Sequence, residues 1–140
     1  STFLVLLLLG SIQIFAQKKY DILGKWVNPS GEGQIEIYKK GDKYFGKLVW
    51  IKEPNNPNGK PKTDEKNPNE GLRNKPVLGL EILKNFEFND GKWDDGTIYD
   101  PKSGKTYSCK LTLKDQNLLN IRGYIGVSLI GRTEVWKRVK

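Results

Sequence analysis

The sequence predicts an all-β protein, an antiparallel up-and-down β-barrel of about eight to ten strands with one long Asn/Pro-rich loop. Two observations carry this. Strand-length runs alternate apolar and polar residues, as Tyr107, Cys109, Leu111 and Leu113 do against Thr106, Ser108, Lys110 and Thr112, the period of a sheet with one dry face. Turn chemistry separates these runs, and no segment sustains an apolar pattern at helical period. An open sandwich fits the same pattern, whereas closure into a barrel removes exposed edges.

In chain order, 18–27 gives a short lead-in and a first strand. Asn28-Pro29-Ser30-Gly31-Glu32-Gly33 is a turn, and 34–39 alternates with Ile35 and Ile37 inward. Lys40-Gly41-Asp42-Lys43 connects a hairpin to a strand over 44–51, whose phase is ambiguous near Trp50 because both faces are apolar. From Glu53 to Glu70 there are four Pro and no apolar residue, which excludes a strand or long helix. That segment is either a surface insertion or an ordered lid beside a binding mouth.

Strands resume over 76–83 and 86–88, followed by a turn at Asn89-Asp90-Gly91 and another at Asp94-Asp95-Gly96. The clearest hairpin runs through Asp100-Pro101-Lys102-Ser103-Gly104, with the Asp100 side chain expected to accept from the backbone of Ser103 or Gly104. Strands over 118–125 and 130–139 follow, with a turn near Gly126-Val127-Ser128.

Residues 1–17, STFLVLLLLGSIQIFAQ, carry no charge and end in small or polar residues. They match the apolar and cleavage regions of a secretory signal peptide, clipped at its start, for it has no Met or basic n-region. The apolar run is shorter than the roughly 20 residues a spanning helix needs. The expectation is therefore an exported protein, periplasmic or extracellular, with 18–140 forming a single domain. The chain carries 24 Lys and Arg against 16 Asp and Glu, a net charge of +8. Export and the scatter of Lys along strands argue against nucleic acid and leave a solvated surface or peripheral contact with an anionic envelope surface.

One Cys and no His are present. Cys109 falls in phase with apolar positions, as a buried inert thiol would. Lack of His removes the commonest general base and zinc ligand. Gly126-Val127-Ser128-Leu129-Ile130 fails the Gly-x-Ser-x-Gly elbow, and no Asp-x-Asp-x-Asp-Gly calcium loop occurs. No catalytic residue, cofactor or metal is expected, and the protein is read as a non-enzyme.

Gly24-Lys25-Trp26 on the first strand, with an Arg on the last, resembles the lipocalin and fatty-acid-binding barrels of the calycin group. That resemblance implies that Trp26 closes one barrel end beneath an Arg, either Arg132 or Arg138. A second resemblance spans nearly all of 18–140. It rests on Gly24-x-Trp26, Asp64-x-x-Asn67-Pro68, Leu72-Arg73-x-x-Pro76-x-x-Gly79, Gly96-x-Ile98-Tyr99-Asp100-Pro101, Ser103-Gly104-Lys105-x-Tyr107, Arg122-Gly123-Tyr124 and Gly131-Arg132-Thr133-x-x-Trp136. In this order they resemble the bacterial domain of unknown function 2147 family, small exported proteins with no settled activity. The resemblance implies a calycin-like barrel and brings no catalytic residues.

On the last strand Ile130, Arg132, Glu134, Trp136 and Arg138 share one face. If that face is inward, Trp26, Trp50, Tyr99, Tyr107 and Trp136 line a pocket in which Arg132 reads a carboxylate or phosphate. The competing role for Arg132 is a latch stacked on Trp26 in a barrel filled by side chains. Arg73 either pairs with Asp64 to pin the loop or meets an anion at the mouth. The sequence thus predicts a monomeric or weakly associating exported barrel holding a small, partly apolar, anionic ligand such as a lipid or fatty acid. The alternative is an envelope interaction module with a filled barrel and a basic outer surface.

Overall fold

The computed structural model describes residues 18–127 and 130–140. The expected signal segment lies outside them, as does part of the expected turn at 126–128. Eight antiparallel strands form a closed barrel in sequential order. They are β1 (Gly24–Val27), β2 (Gly33–Lys40), β3 (Lys43–Ile51), β4 (Glu81–Asn89), β5 (Lys92–Asp100), β6 (Lys105–Asp115), β7 (Leu118–Tyr124) and β8 (Gly131–Arg138). One 3-10 turn, Glu70–Leu72, interrupts the long connection between β3 and β4.

Two sequence readings are corrected here. The strand pieces expected over 76–83 and 86–88 are one strand, β4, and 76–80 belongs to the preceding loop. Asp94-Asp95-Gly96 is not a turn but the middle of β5. Both differences have one cause. Asn85 and Asp95 adopt left-handed backbone angles, φ 64° and 60°, and the ladder slips beside each. Asn and Asp tolerate that region, so strands bend through bulges where the composition suggests a break.

The two barrel ends differ. At one end the hairpins are tight, through Gly41-Asp42, Asp90-Gly91 and Gln116-Asn117, and the interior is packed. Trp26, Tyr44, Phe86, Trp93, Leu111 and Leu119 are all essentially without solvent contact there. Trp93 takes Phe88 at a tilt and Tyr44 edge-on, with centroids 5.0 and 6.4 Å away.

The seam between β1 and β8 has only two register pairs, Trp26 with Arg138 and Val27 with Lys137. Side chains compensate for that short ladder. The Arg138 guanidinium lies 4.2 Å from the Trp26 ring centroid. It donates to the carbonyls of Leu23 (2.9 Å), Asp21 (2.6 Å) and Gln116 (2.7 Å). The Trp26 indole N–H donates in turn to the Ile22 carbonyl at 2.9 Å, so the lead-in segment is tied over the barrel end. Gly24 permits this approach, for its φ is +124° and a Cβ would stand 3.1 Å from Arg138 Nη1. Burial pulls the Arg138 guanidinium below its ordinary pKa, and nearby Asp21 opposes the shift. Arg132, the other reading of the latch, is excluded from this role. Its register partner is Gly123, near the opposite end of β8.

Arg138→Ala removes one ring contact and three hydrogen bonds and is expected to cost about 2–4 kcal/mol of stability. Arg132→Ala, at an exposed position, is expected to stay within about 0.5 kcal/mol of wild type. Urea denaturation of both variants beside the wild type checks the contrast.

Candidate functional site: a cavity at the open end

The opposite end of the barrel receives the long connections. The β1–β2 turn, the segment between β3 and β4, the Asp100–Lys105 turn and the described part of the β7–β8 connection border a half-open cavity of about 1230 Å³. Its apolar wall is formed by Ile35, Leu48, Ile82, Ile98, Ile121 and Trp136. These are inward positions of six strands, and the alternation that fills the packed end with large rings supplies mostly smaller aliphatic groups here. Lys102 with Glu32 (3.5 Å) and Lys62 with Glu53 (3.6 Å) pair across the rim. Such exposed pairs contribute roughly 0–1 kcal/mol each.

One face of β8 carries polar groups into the cavity. Arg132, Glu134 and Trp136 line it, while Thr133 and Val135 face outward. Glu134 accepts a hydrogen bond from the Trp136 indole N–H at 3.2 Å. Arg132 and Glu134 do not pair with one another. Among the described residues no carboxylate lies within ion-pair distance of Arg132, which remains exposed at the mouth.

The charged loop folds over this mouth and contributes Glu53, Asn56, Lys62, Thr63 and Glu65 to its rim. Bridges pair Asn55 with Pro61 and Thr63 with Pro76. Its anchor is Asp64, only 1 % exposed despite lying in a run without apolar residues. Asp64 accepts from the Tyr99 hydroxyl at 2.6 Å and from the Asn67 side-chain amide at 2.8 Å. Gly104, at φ +74°, brings the β5–β6 turn against the Lys66 carbonyl, and a side chain there would overlap that oxygen. The loop is therefore docked on β5 by specific polar contacts, which offset the buried charge.

The structure brings Tyr99, Tyr107, Arg132 and Trp136 into one cavity wall. It separates the other proposed contacts from them. Trp26 lies at the packed end beneath Arg138. Trp50 points out of the barrel, 42 % exposed, because an extra residue in β3 between the pairs Leu48–Ile35 and Trp50–Gln34 reverses its phase. Arg73 pairs neither with Asp64 nor with the mouth. The 3-10 turn, capped by the Asn69 side chain on Gly71 N–H, directs Arg73 Nε back to the Asn67 carbonyl at 2.7 Å. Asp100 lies on the rim, and its turn differs in detail from the expectation. The side chain accepts from Lys102 N–H (3.0 Å) and the Ser103 hydroxyl (3.0 Å), whereas the Asp100 carbonyl takes the N–H groups of Ser103 and Gly104.

Sequence reasoning offered Asp64 as a pin for the loop but with Arg73 as its partner, and missed Tyr99. Tyr99 is 35 residues away, and nothing local marks a single acidic residue in a charged run as buried. Cys109 is buried, and burial pushes its thiol up to about 12. Among the described residues no group of three or more His, Cys, Asp or Glu side chains is placed to hold a metal.

A closed eight-stranded antiparallel barrel, sealed at one end by a Trp under an Arg and open at the other, has the lipocalin-like fold. A solved structure described as "Protein HP1028 from the human pathogen Helicobacter pylori belongs to the lipocalin family" matches it with a TM-score of 0.74. The identity is 21%, over 85% of this chain and 83% of that one. The chain belongs to the family described as "Uncharacterized protein conserved in bacteria (DUF2147)", whose model matches residues 24–138. No curated protein matches it.

Burial, then the hydrogen bond and charge of Asp64, push the Tyr99 hydroxyl up to about 12 from 10.0. A raised folded-state value means that the contribution is complete below about pH 10 and is lost as pH rises toward about 12. Tyr99→Phe is therefore expected to lower stability at neutral pH by about 1–2 kcal/mol and to flatten part of the decline over that window. Denaturation midpoints measured from neutral to alkaline pH check both effects.

Proposed function

We propose that this protein is an exported, non-catalytic barrel that holds a small, partly apolar, anionic molecule, fatty-acid-like in character, in the cavity at its open end. The observation that carries the reading is the cavity, about 1230 Å³ in volume with an exposed guanidinium in its wall. Pockets that take small molecules are typically about 300–1,000 Å³, mainly apolar, with a few convergent polar groups. Ile35, Leu48, Ile82, Ile98, Ile121 and Trp136 supply the apolar part, and Arg132 offers a charged donor to a carboxylate or phosphate. An unfilled mouth of this size also disfavours the filled-barrel alternative. The lipocalin-like fold supports the reading by analogy, and the apolar segment 1–17 supports export.

The Tyr99–Asp64 contact adds a mechanism for retention. A loop docked by buried polar bonds narrows the mouth at little entropic cost when a ligand enters, since its order already exists. Protein purified without detergent from its own host and examined by native mass spectrometry is expected to carry a small molecule that organic extraction releases. Repeated recovery of protein at its bare polypeptide mass contradicts the proposal.

A further inference from the structure

Glu134 is a half-buried carboxylate in the cavity wall, and a ligand's acid group, met by Arg132, leaves it without a partner on the ligand. We infer that the ligand is amphoteric, an apolar body bearing both an acid and a primary amine, with Arg132 receiving the acid and Glu134 the amine. This rests on the cavity reading above and names the ligand class of that site.

Arg132 and Glu134 are alternate residues on the inward face of β8, so their backbones stand about 6.5–7 Å apart along the strand. Long side chains at that spacing reach the two charged groups of a single α-amino acid head. They do not neutralise each other. The Trp136 indole N–H, the next inward position toward the packed end, holds Glu134 Oε2 at 3.2 Å and draws the carboxylate away from Arg132. Among the described residues nothing donates to Glu134 Oε1, which leaves one acceptor of this cavity-lining residue without a protein partner. That oxygen is open to solvent water.

A bound alkyl chain expels that water. A simple fatty acid then leaves Glu134 with a desolvated, unsatisfied oxygen and places a second negative charge in the same cavity. An amine on the ligand removes both penalties with a charge-assisted hydrogen bond. Sites built to bond a polar group discriminate strongly against analogues that lack it, because the site's own group is left unpaired. Glu134 thus selects against the plain fatty acid more than it adds raw affinity. The surrounding aliphatic wall of Ile98, Ile121 and Leu48 accepts the apolar body in either case.

Calorimetric titration of the refolded, delipidated protein with lauric acid, dodecylamine and 2-aminododecanoic acid tests this. The amphoteric probe is expected to bind about tenfold or more tighter than lauric acid. Glu134→Gln keeps an oxygen for the Trp136 indole, so the wall survives. It is expected to erase that ratio while lauric acid binds at least as tightly as to wild type, which also reports an intact cavity. Arg132→Gln is expected to weaken both acids and leave dodecylamine unchanged. Equal affinity for lauric and 2-aminododecanoic acids, or a ratio that survives Glu134→Gln, overturns the inference while leaving the cavity reading in place. Failure of all three probes to bind overturns both.

Discussion

Arg138 lies over the Trp26 ring, and the barrel exists as a closed object because of that contact. Every other seam is a longer hydrogen-bonded ladder, whereas β1 meets β8 over two residue pairs. A cation held against an indole face, with three of its N–H groups committed to the carbonyls of Asp21, Leu23 and Gln116, joins the lead-in segment, the β6–β7 turn and the last strand. The Trp26 side chain returns the favour through the Ile22 carbonyl. Without these contacts the first strand becomes a short edge with little to hold it, and the sheet has two open margins.

Sealing one end by packing fixes what the other end can be. Large rings fill the layers near Trp26 and Trp93, and the tight hairpins there leave no spare chain. The long β3–β4 connection must therefore sit at the mouth. It is held by polar chemistry, since it has no apolar residues from Glu53 to Glu70 with which to pack. Asp64 is buried between Tyr99 and Asn67, and Gly104 makes room for the Lys66 carbonyl. A loop so attached bounds the cavity without filling it.

Much of this was legible in the sequence, for identifiable reasons. Alternation along β2, β6 and β7 set the inward face, and turn residues placed the hairpins at Gly41, Asn89 and Gly104. That Arg132, Glu134 and Trp136 share one face followed from strand period, and the structure turns that face to the cavity. What stayed hidden depended on bulges and on distant partners. One extra residue in β3 turned Trp50 outward, and left-handed angles at Asn85 and Asp95 kept strands running through sequences that read as turns. Arg138 and Arg132 are equally plausible partners for Trp26 until register is known, and register places only Arg138 opposite it.

The central claim is that the β1–β8 seam opens only when the whole barrel does. Native-state hydrogen exchange of the backbone amides of Trp26 and Val27 and of the Trp26 indole, against Leu111 in the middle of β6, measures this directly. The account predicts the same opening free energy for all of them, close to that of global unfolding. Exchange at Trp26 through a much smaller opening, with Leu111 still protected, would show a barrel that unzips at its first strand and would contradict the claim.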